Sequence, residues 1–198
     1  MNRGVFLDRD GTVTEEVGYI NHIERFHIYS WSSNAIRSLN KVGFRVVVIT
    51  NQSGVARGYF PEHLVHETHR RLRAELARNG ACLDGIYYCP HHPDGRVEPY
   101  RLKCACRKPG VGLLENAARD LDIDLPSSYI VGDRYKDIET GFRANMQGVL
   151  VLTGYGKGEY EYMREAWPRM PDFVASDLGD AAKWIIAQKW KSGGNTTH

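Results

Sequence analysis

Val5, Phe6 and Leu7 form a short apolar run that breaks abruptly into the polar stretch DRDGT. The same event recurs three more times: RVVVIT (45–50) gives way to NQSG, YIVG (129–132) to DRYKD, and GVLVL (148–152) to a glycine-rich loop. Short, continuous apolar runs bounded by turn residues predict strands buried on both faces. Between them the period changes to that of a helix. Ser33 is placed to cap a helix carrying Ile36, Leu39 and Val42, which Gly43 ends. Pro61 suits the first turn of another, with Leu64, Thr68, Leu72 and Leu76 along one face and Gly80 at its close. Leu113, Leu114, Ala117 and Leu121 predict a third, Ile138 and Phe142 a fourth, and residues 178–190, amphipathic around Trp184, a fifth. Strands alternating with helices predict an α/β fold, a three-layer Rossmann-like parallel sheet with helices on both faces and no large cap domain. Ligands of such sheets bind beyond the carboxyl ends of the strands. DRDGT, TNQSG and GDRYKD all follow strand ends, so three distant stretches are expected to converge on one crevice.

The organisation is one domain over residues 1–190, with the tail KSGGNTTH (191–198) expected to be disordered and without functional weight. A chain of 198 residues, 42% of them hydrophobic, is ordinary for a globular domain with a substantial core. The longest apolar run, VVVI (46–49), is far below the roughly 20 residues of a membrane helix. The N-terminus lacks a secretory pattern, so the cytoplasm is the default compartment. A net charge of +2 supports neither nucleic-acid nor membrane binding. The one basic stretch, HRRLRAELAR (69–78), interleaves arginine with leucine at helical spacing and is expected to be a solvated helix face. No apolar heptad or exposed apolar strand demands a partner, so a monomer is the default.

Asp8 and Asp10 stand one residue apart at the end of the first strand, and an extended segment places both on one face. Carboxylates that close repel, and the arrangement calls for a cation, a shared proton or both. Asp133 and Asp137 bring further oxygen ligands on the third loop. An ion that favours a few carboxylates, waters and substrate phosphate, Mg²⁺, fits this set.

A second constellation lies between residues 89 and 106. Cys89-x-His91 is followed, after twelve residues, by Cys104-x-Cys106: three thiolates and an imidazole that suit a closed, structural Zn²⁺ site. A disulfide is the competing account, but cytosolic redox conditions and the Cys104–Cys106 spacing disfavour it. CPHHP offers two imidazoles, His91 and His92, and spacing does not choose between them. Cys82 falls outside the pattern and is expected to be a small buried hydrophobe. HLVHETH (63–69) misses the HExxH spacing by one residue, which leaves surface histidines as its meaning, and GYGKGE (154–159) is not a nucleotide fingerprint and is expected to be a mobile loop.

DRDGT, Thr50 in VITNQSG, Lys108 in CRKPG and GDRYKD, in that order, resemble the four motifs of the haloacid dehalogenase-like phosphatases. The resemblance implies that Asp8 attacks phosphorus and forms an aspartyl-phosphate, and that Asp10 acts as general acid and then as general base. It also implies that Mg²⁺ is held by the Asp8 carboxylate, the Asp10 main-chain carbonyl and the Asp133 carboxylate. Thr50 and Lys108 would hold the transferring phosphoryl oxygens, and Asp137 would order the metal loop. From Gly4 to Gly154, with VGY, TNQSGVARGYF, DGIYYCPHHP and the cysteine loop before RKP, the chain further resembles the D-glycero-D-manno-heptose 1,7-bisphosphate phosphatases. That similarity selects His91 as the zinc ligand and removal of the 7-phosphate of a sugar bisphosphate as the reaction, with the anomer left open. It implies a substrate-binding set of Arg9, Glu16, Val17, Gly18, Tyr19, Asn51, Gln52 and Ser53, with Arg107 at the non-reacting end. Arg134 stands where the family pattern has lysine, so that charge is kept and geometry is not. Histidinol-phosphate phosphatase is the nearest alternative, though TNQSGVARG fits the heptose enzymes better. A non-catalytic zinc-bearing binding module is a more remote one, and it predicts indifference to Asp8→Asn.

Overall fold

Alternate residues of the central strands enter two separate cores. In β1 (Gly4–Leu7), Val5 and Leu7 face one way and Phe6 the other; in β2 (Arg45–Asn51), Val46 and Val48 oppose Val47 and Ile49; in β4 (Tyr129–Gly132), Tyr129 and Val131 oppose Ile130. Each such side chain is fully enclosed, a burial that stabilises by about 1.5–3 kcal/mol per large apolar residue. With β3 (Gly85–Cys89), β5 (Gln147–Val151) and β6 (Phe173–Ala175), these strands form one parallel sheet in the order β3-β2-β1-β4-β5-β6. Val5 pairs with Val46 on one side and Tyr129 on the other, which makes β1 the centre of the sheet. The order of strands reverses between β1 and β4, the switch point at which such sheets open a binding crevice.

The computed structural model describes the backbone of residues 1–193 and the side chains of residues 1–188. Helices α1 (Ser32–Lys41), α3 (Glu62–Arg78) and α7 (Leu178–Gly193) cover the Val5 face, with Ile36, Leu72, Leu76 and Ile185 in its core. The opposite face is covered by α4 (Gly112–Leu121) through Leu113, Leu114 and Ala117, and by α5 (Tyr135–Arg143), whose Gly141 lets the helix settle against Ile130. A one-turn helix α2 (Gly54–Arg57) follows β2, and α6 (Gly156–Met163) follows β5. Among the described residues no helix is long and apolar enough to cross a membrane. Helix α7 runs on to Gly193, and residues 194–198 of the expected tail lie outside the described residues.

Several expectations are corrected. Trp31, not Ser33, precedes the first turn of α1, and Pro61 stands one residue before α3 rather than within it. Cys82 is exposed, between the buried Ala81 and Leu83, because the extended connection into β3 alternates sides. The stretch GYGKGE is largely helical rather than a mobile loop: α6 is pinned by Glu159, which accepts hydrogen bonds from the Tyr135 amide (2.7 Å) and from Arg134 Nε (2.8 Å). His63 and His66 are on the surface as expected, but His69 is buried beside Thr68 and Leu72.

Candidate active site

Asp8 follows the last residue of β1, Thr50 and Asn51 end β2, and Asp133 follows β4, so adjacent strands deliver these groups side by side. The chain must turn sharply to leave room around Asp133, and two glycines of positive φ make this possible. A Cβ on Gly11 (φ 83°) or on Gly154 (φ 53°) would lie 2.2 Å from Asp133 Oδ2. That oxygen accepts from the Tyr155 amide at 2.9 Å, whereas Oδ1 is buried without a hydrogen-bond partner. Burial first, and the Asp8 and Asp137 carboxylates next, push the Asp133 carboxyl well above the usual carboxylate range. Asp8, Asp133 and Asp137 each offer an oxygen within 4.8 Å of the others. An orphaned buried oxygen among crowded carboxylates fits a hard divalent cation, which would reverse that shift.

Lys108 is the counterweight. Its ammonium reaches Asp8 Oδ1 at 2.7 Å, the Ile49 carbonyl at 3.0 Å and Asp137 Oδ1 at 2.7 Å, and it is fully enclosed. Burial alone would lower its pKa, but the charges of Asp137 and then Asp8 outweigh this and hold it above the ordinary lysine value. With its donors taken up by protein, Lys108 fixes one oxygen of the Asp8 carboxylate. Asn51 holds Lys108 in turn, accepting from its amide at 3.1 Å and donating to its carbonyl at 3.2 Å. Asp137 Oδ2 accepts from the Arg134 amide (3.2 Å) at the start of α5, so this carboxylate both caps a helix and faces the lysine.

The second aspartate, Asp10, is held by its oxygens: Arg9 Nε and Nη2 at 3.0 and 2.9 Å, and Gln52 Nε2 at 2.8 Å. Gln52 also donates to Thr50 Oγ1 at 2.8 Å. Above these groups opens a cavity of about 250 Å³, lined by Asp8, Asp10, Glu16, Thr50, Gln52, Asp133 and five cations, Arg57, Arg107, Lys108, Arg134 and Lys136. Burial first, then Asp10, raises the pKa of Glu16. A concave surface with carboxylates at its floor and cations around its walls can take a multiply charged phosphate ester.

Beside the cavity, the sulfurs of Cys89, Cys104 and Cys106 and the Nδ1 of His91 gather within 4.8 Å of one another. The closest approaches are 3.0 Å between Cys104 and Cys106 and 3.1 Å between Cys106 and Cys89, and none of the three forms a disulfide. Burial holds the Cys104 thiol above its ordinary pKa, and the neighbouring Cys89 sulfur does so for Cys106. Three sulfurs and one imidazole nitrogen, drawn together from two ends of a long loop, fit tetrahedral zinc. His92 points elsewhere, its Nε2 2.9 Å from Arg57 Nη2.

A profile described as HAD-hydrolase-like matches residues 105–181. The chain is 46% identical over 185 residues to the D-glycero-β-D-manno-heptose-1,7-bisphosphate 7-phosphatase of Escherichia coli K12, covering 93% of this chain and 94% of that one. It is 41% identical to the enzyme of the same name from Haemophilus influenzae, over 86% of this chain and 96% of the relative. The chain belongs to the heptose-1,7-bisphosphate 7-phosphatase family. It is therefore a phosphoric monoester hydrolase of the HAD-like class. Among solved structures, the D,D-heptose 1,7-bisphosphate phosphatase of B. bronchiseptica, complexed with magnesium and phosphate, superposes with a TM-score of 0.82 at 32% identity, over 94% of this chain and 99% of that one.

Within this family member, the structure gathers Asp8, Asp10, Glu16, Gly18, Tyr19, Thr50, Asn51, Gln52, Ser53, Arg107, Lys108, Asp133 and Arg134 around one cavity. Val17 and Arg9 are not among its lining residues. Arg9 is 1% exposed and its guanidinium is taken up by Asp10, Thr68 and His69 outside the cavity, so its expected contact with substrate is corrected. Arg57, Phe60, Lys136 and Tyr155 are lining residues that sequence reasoning missed. Lys136 lies within the quoted GDRYKD; its partly buried ammonium has its pKa lowered, by burial above all, and makes no ion pair among the described residues.

Proposed function

We propose that the chain hydrolyses the 7-phosphate of D-glycero-β-D-manno-heptose 1,7-bisphosphate through an aspartyl-phosphate on Asp8. The observation that carries this reading is the Asp8 carboxylate, anchored through one oxygen by Lys108 at the floor of a cavity with cations on its walls. Its second oxygen makes no hydrogen bond among the described residues and is the attacking atom. As the Asp8–phosphorus bond forms and the bond to the sugar oxygen breaks, a protonated Asp10 gives its proton to that oxygen. Asp10, now a carboxylate, takes a proton from water as water attacks the phosphoenzyme, releasing Asp8 and inorganic phosphate. Mg²⁺ held by the Asp8 carboxylate, the Asp10 carbonyl and Asp133 supplies charge neutralisation for the phosphoryl oxygens. Thr50 adds a hydroxyl at the same end of the cavity, and Arg107 a guanidinium for the 1-phosphate. Cys89, His91, Cys104 and Cys106 hold a structural zinc.

Specificity follows from the cationic wall. Histidinol phosphate brings an ammonium group where a bisphosphate brings a second anion, and the wall of Arg57, Arg107, Arg134 and Lys136 repels the former. In parallel phosphate-release assays with Mg²⁺, kcat/KM for the heptose bisphosphate is expected to exceed that for histidinol phosphate by about 100-fold or more, the scale of one misplaced charge. The β anomer is expected to turn over faster than the α, in line with the anomer in the relatives' names. A preference for histidinol phosphate would overturn the substrate assignment.

A further inference from the structure

Among the described residues Arg9 is the bulkiest fully enclosed side chain, and its charge needs an explanation that the substrate does not provide. Its guanidinium uses two faces of its fork. Nε and Nη2 grip the two oxygens of Asp10 at 3.0 and 2.9 Å, and Nη1 reaches the α3 side chains Thr68 (Oγ1, 3.1 Å) and His69 (Nε2, 3.3 Å). Both α3 atoms are present as acceptors. Thr68 Oγ1 spends its own proton on the Val65 carbonyl at 2.8 Å, and burial, followed by the charge of Arg9, lowers the His69 pKa to about 3, so its imidazole is neutral. His69 packs edge-on against Tyr88 at 5.5 Å, and Tyr88 donates to Glu62 at 2.8 Å, which ties this part of α3 to β3. The Phe26 ring lies 5.7 Å from the guanidinium carbon. A forked, two-bond contact fixes the plane of a carboxylate as a single hydrogen bond does not.

We propose that Arg9, clamped by Thr68 and His69, is a positioning residue that sets the orientation of the Asp10 carboxylate for its two proton transfers. The inference rests on the general acid and base role given to Asp10 above. A proton donor misplaced by about 1 Å costs up to ~100-fold in rate while substrate binding is untouched. The clamp therefore acts on kcat and not on KM.

The test compares Thr68→Val, His69→Leu, His69→Gln, Arg9→Lys and Asp10→Asn with the wild type on heptose bisphosphate, with melting temperature measured alongside. Thr68→Val, nearly isosteric, and His69→Leu are expected to lower kcat about tenfold with KM within about twofold. His69→Gln, which keeps an acceptor at the end of its side chain, is expected to stay within about twofold of the wild type. Arg9→Lys, which has no fork, is expected to lose ~100-fold in kcat. Unchanged kcat in Thr68→Val, or an equal loss in His69→Gln and His69→Leu, would overturn the clamp while a slow Asp10→Asn left the role of Asp10 standing. An Asp10→Asn enzyme as fast as the wild type would overturn that role, and the clamp with it.

Discussion

The Asp8→Asn protein is expected to fold, to bind zinc and to have lost turnover by about 10⁴–10⁶-fold, the scale of removing a covalent nucleophile. An amide oxygen does not attack phosphorus, and the nearest carboxylates are otherwise engaged: Asp133 is fully buried, Asp137 faces Lys108 and the start of α5, and Asp10 is held by Arg9 and Gln52. Stability separates this loss from misfolding. Asp8 is one of three crowded carboxylates and, after burial, its charge does most to raise the Asp133 pKa, so its neutralisation relieves repulsion. Lys108 keeps Asp137 and the Ile49 carbonyl. The melting temperature of Asp8→Asn is accordingly expected to be no lower than that of the wild type, as thermal unfolding followed by circular dichroism would record. A non-catalytic zinc module predicts no functional change at all.

The second large effect is expected at the cysteine cluster. The connection from the end of β3 to Lys108 has no regular structure beyond a single short turn at Glu98–Tyr100. Connections of this length in compact domains are uncommon unless something holds them. Here Arg96 and Val97 donate to the Ala56 carbonyl at 2.7 and 3.0 Å, Tyr100 donates to Glu62 at 2.6 Å, and the Cys89, His91, Cys104 and Cys106 cluster closes the loop. Because Arg107 and Lys108 follow Cys106 directly, ordering the loop orders one wall of the cavity. The wild type is expected to carry about one zinc per chain by elemental analysis and Cys106→Ser less. The kcat/KM of Cys106→Ser should fall at least ~10-fold, and its melting temperature by about 5–10 °C, which is ~3 kcal/mol for a chain of this size. Full activity and stability in a zinc-free Cys106→Ser protein would remove the structural zinc from the account.

The central strands were readable because β1, β2, β4 and β5 are buried on both faces and therefore appear as unbroken apolar runs. The edge strands β3 and β6 were not: GIYYC carries three partly buried residues in a row, and FVA is only three residues long. Helix α6 has no apolar stripe, since among its residues only Gly156 is buried; its shape comes from Glu159 bonding to another part of the chain. The convergence of DRDGT, TNQSG and GDRYKD followed from strand ends alone. The enclosure of Arg9 could have been read from its place between two carboxylates at a turn, where a guanidinium folds back on one of them. The burial of His69 had a signal too, since it lies four residues after Val65 and three before Leu72 on the buried stripe of α3. Lys136 and Arg57 carried no such signal, because what brings them to the cavity is the packing of α5 and α2 around it rather than any local pattern.

The most direct measurement is to mix the enzyme with heptose bisphosphate labelled in its 7-phosphate, quench in acid within milliseconds, digest, and locate the label by mass spectrometry. An acyl phosphate on the peptide that contains Asp8, absent from Asp8→Asn, is the predicted result. Turnover with no label on that peptide at any quench time, or with label on a different side chain, would contradict it.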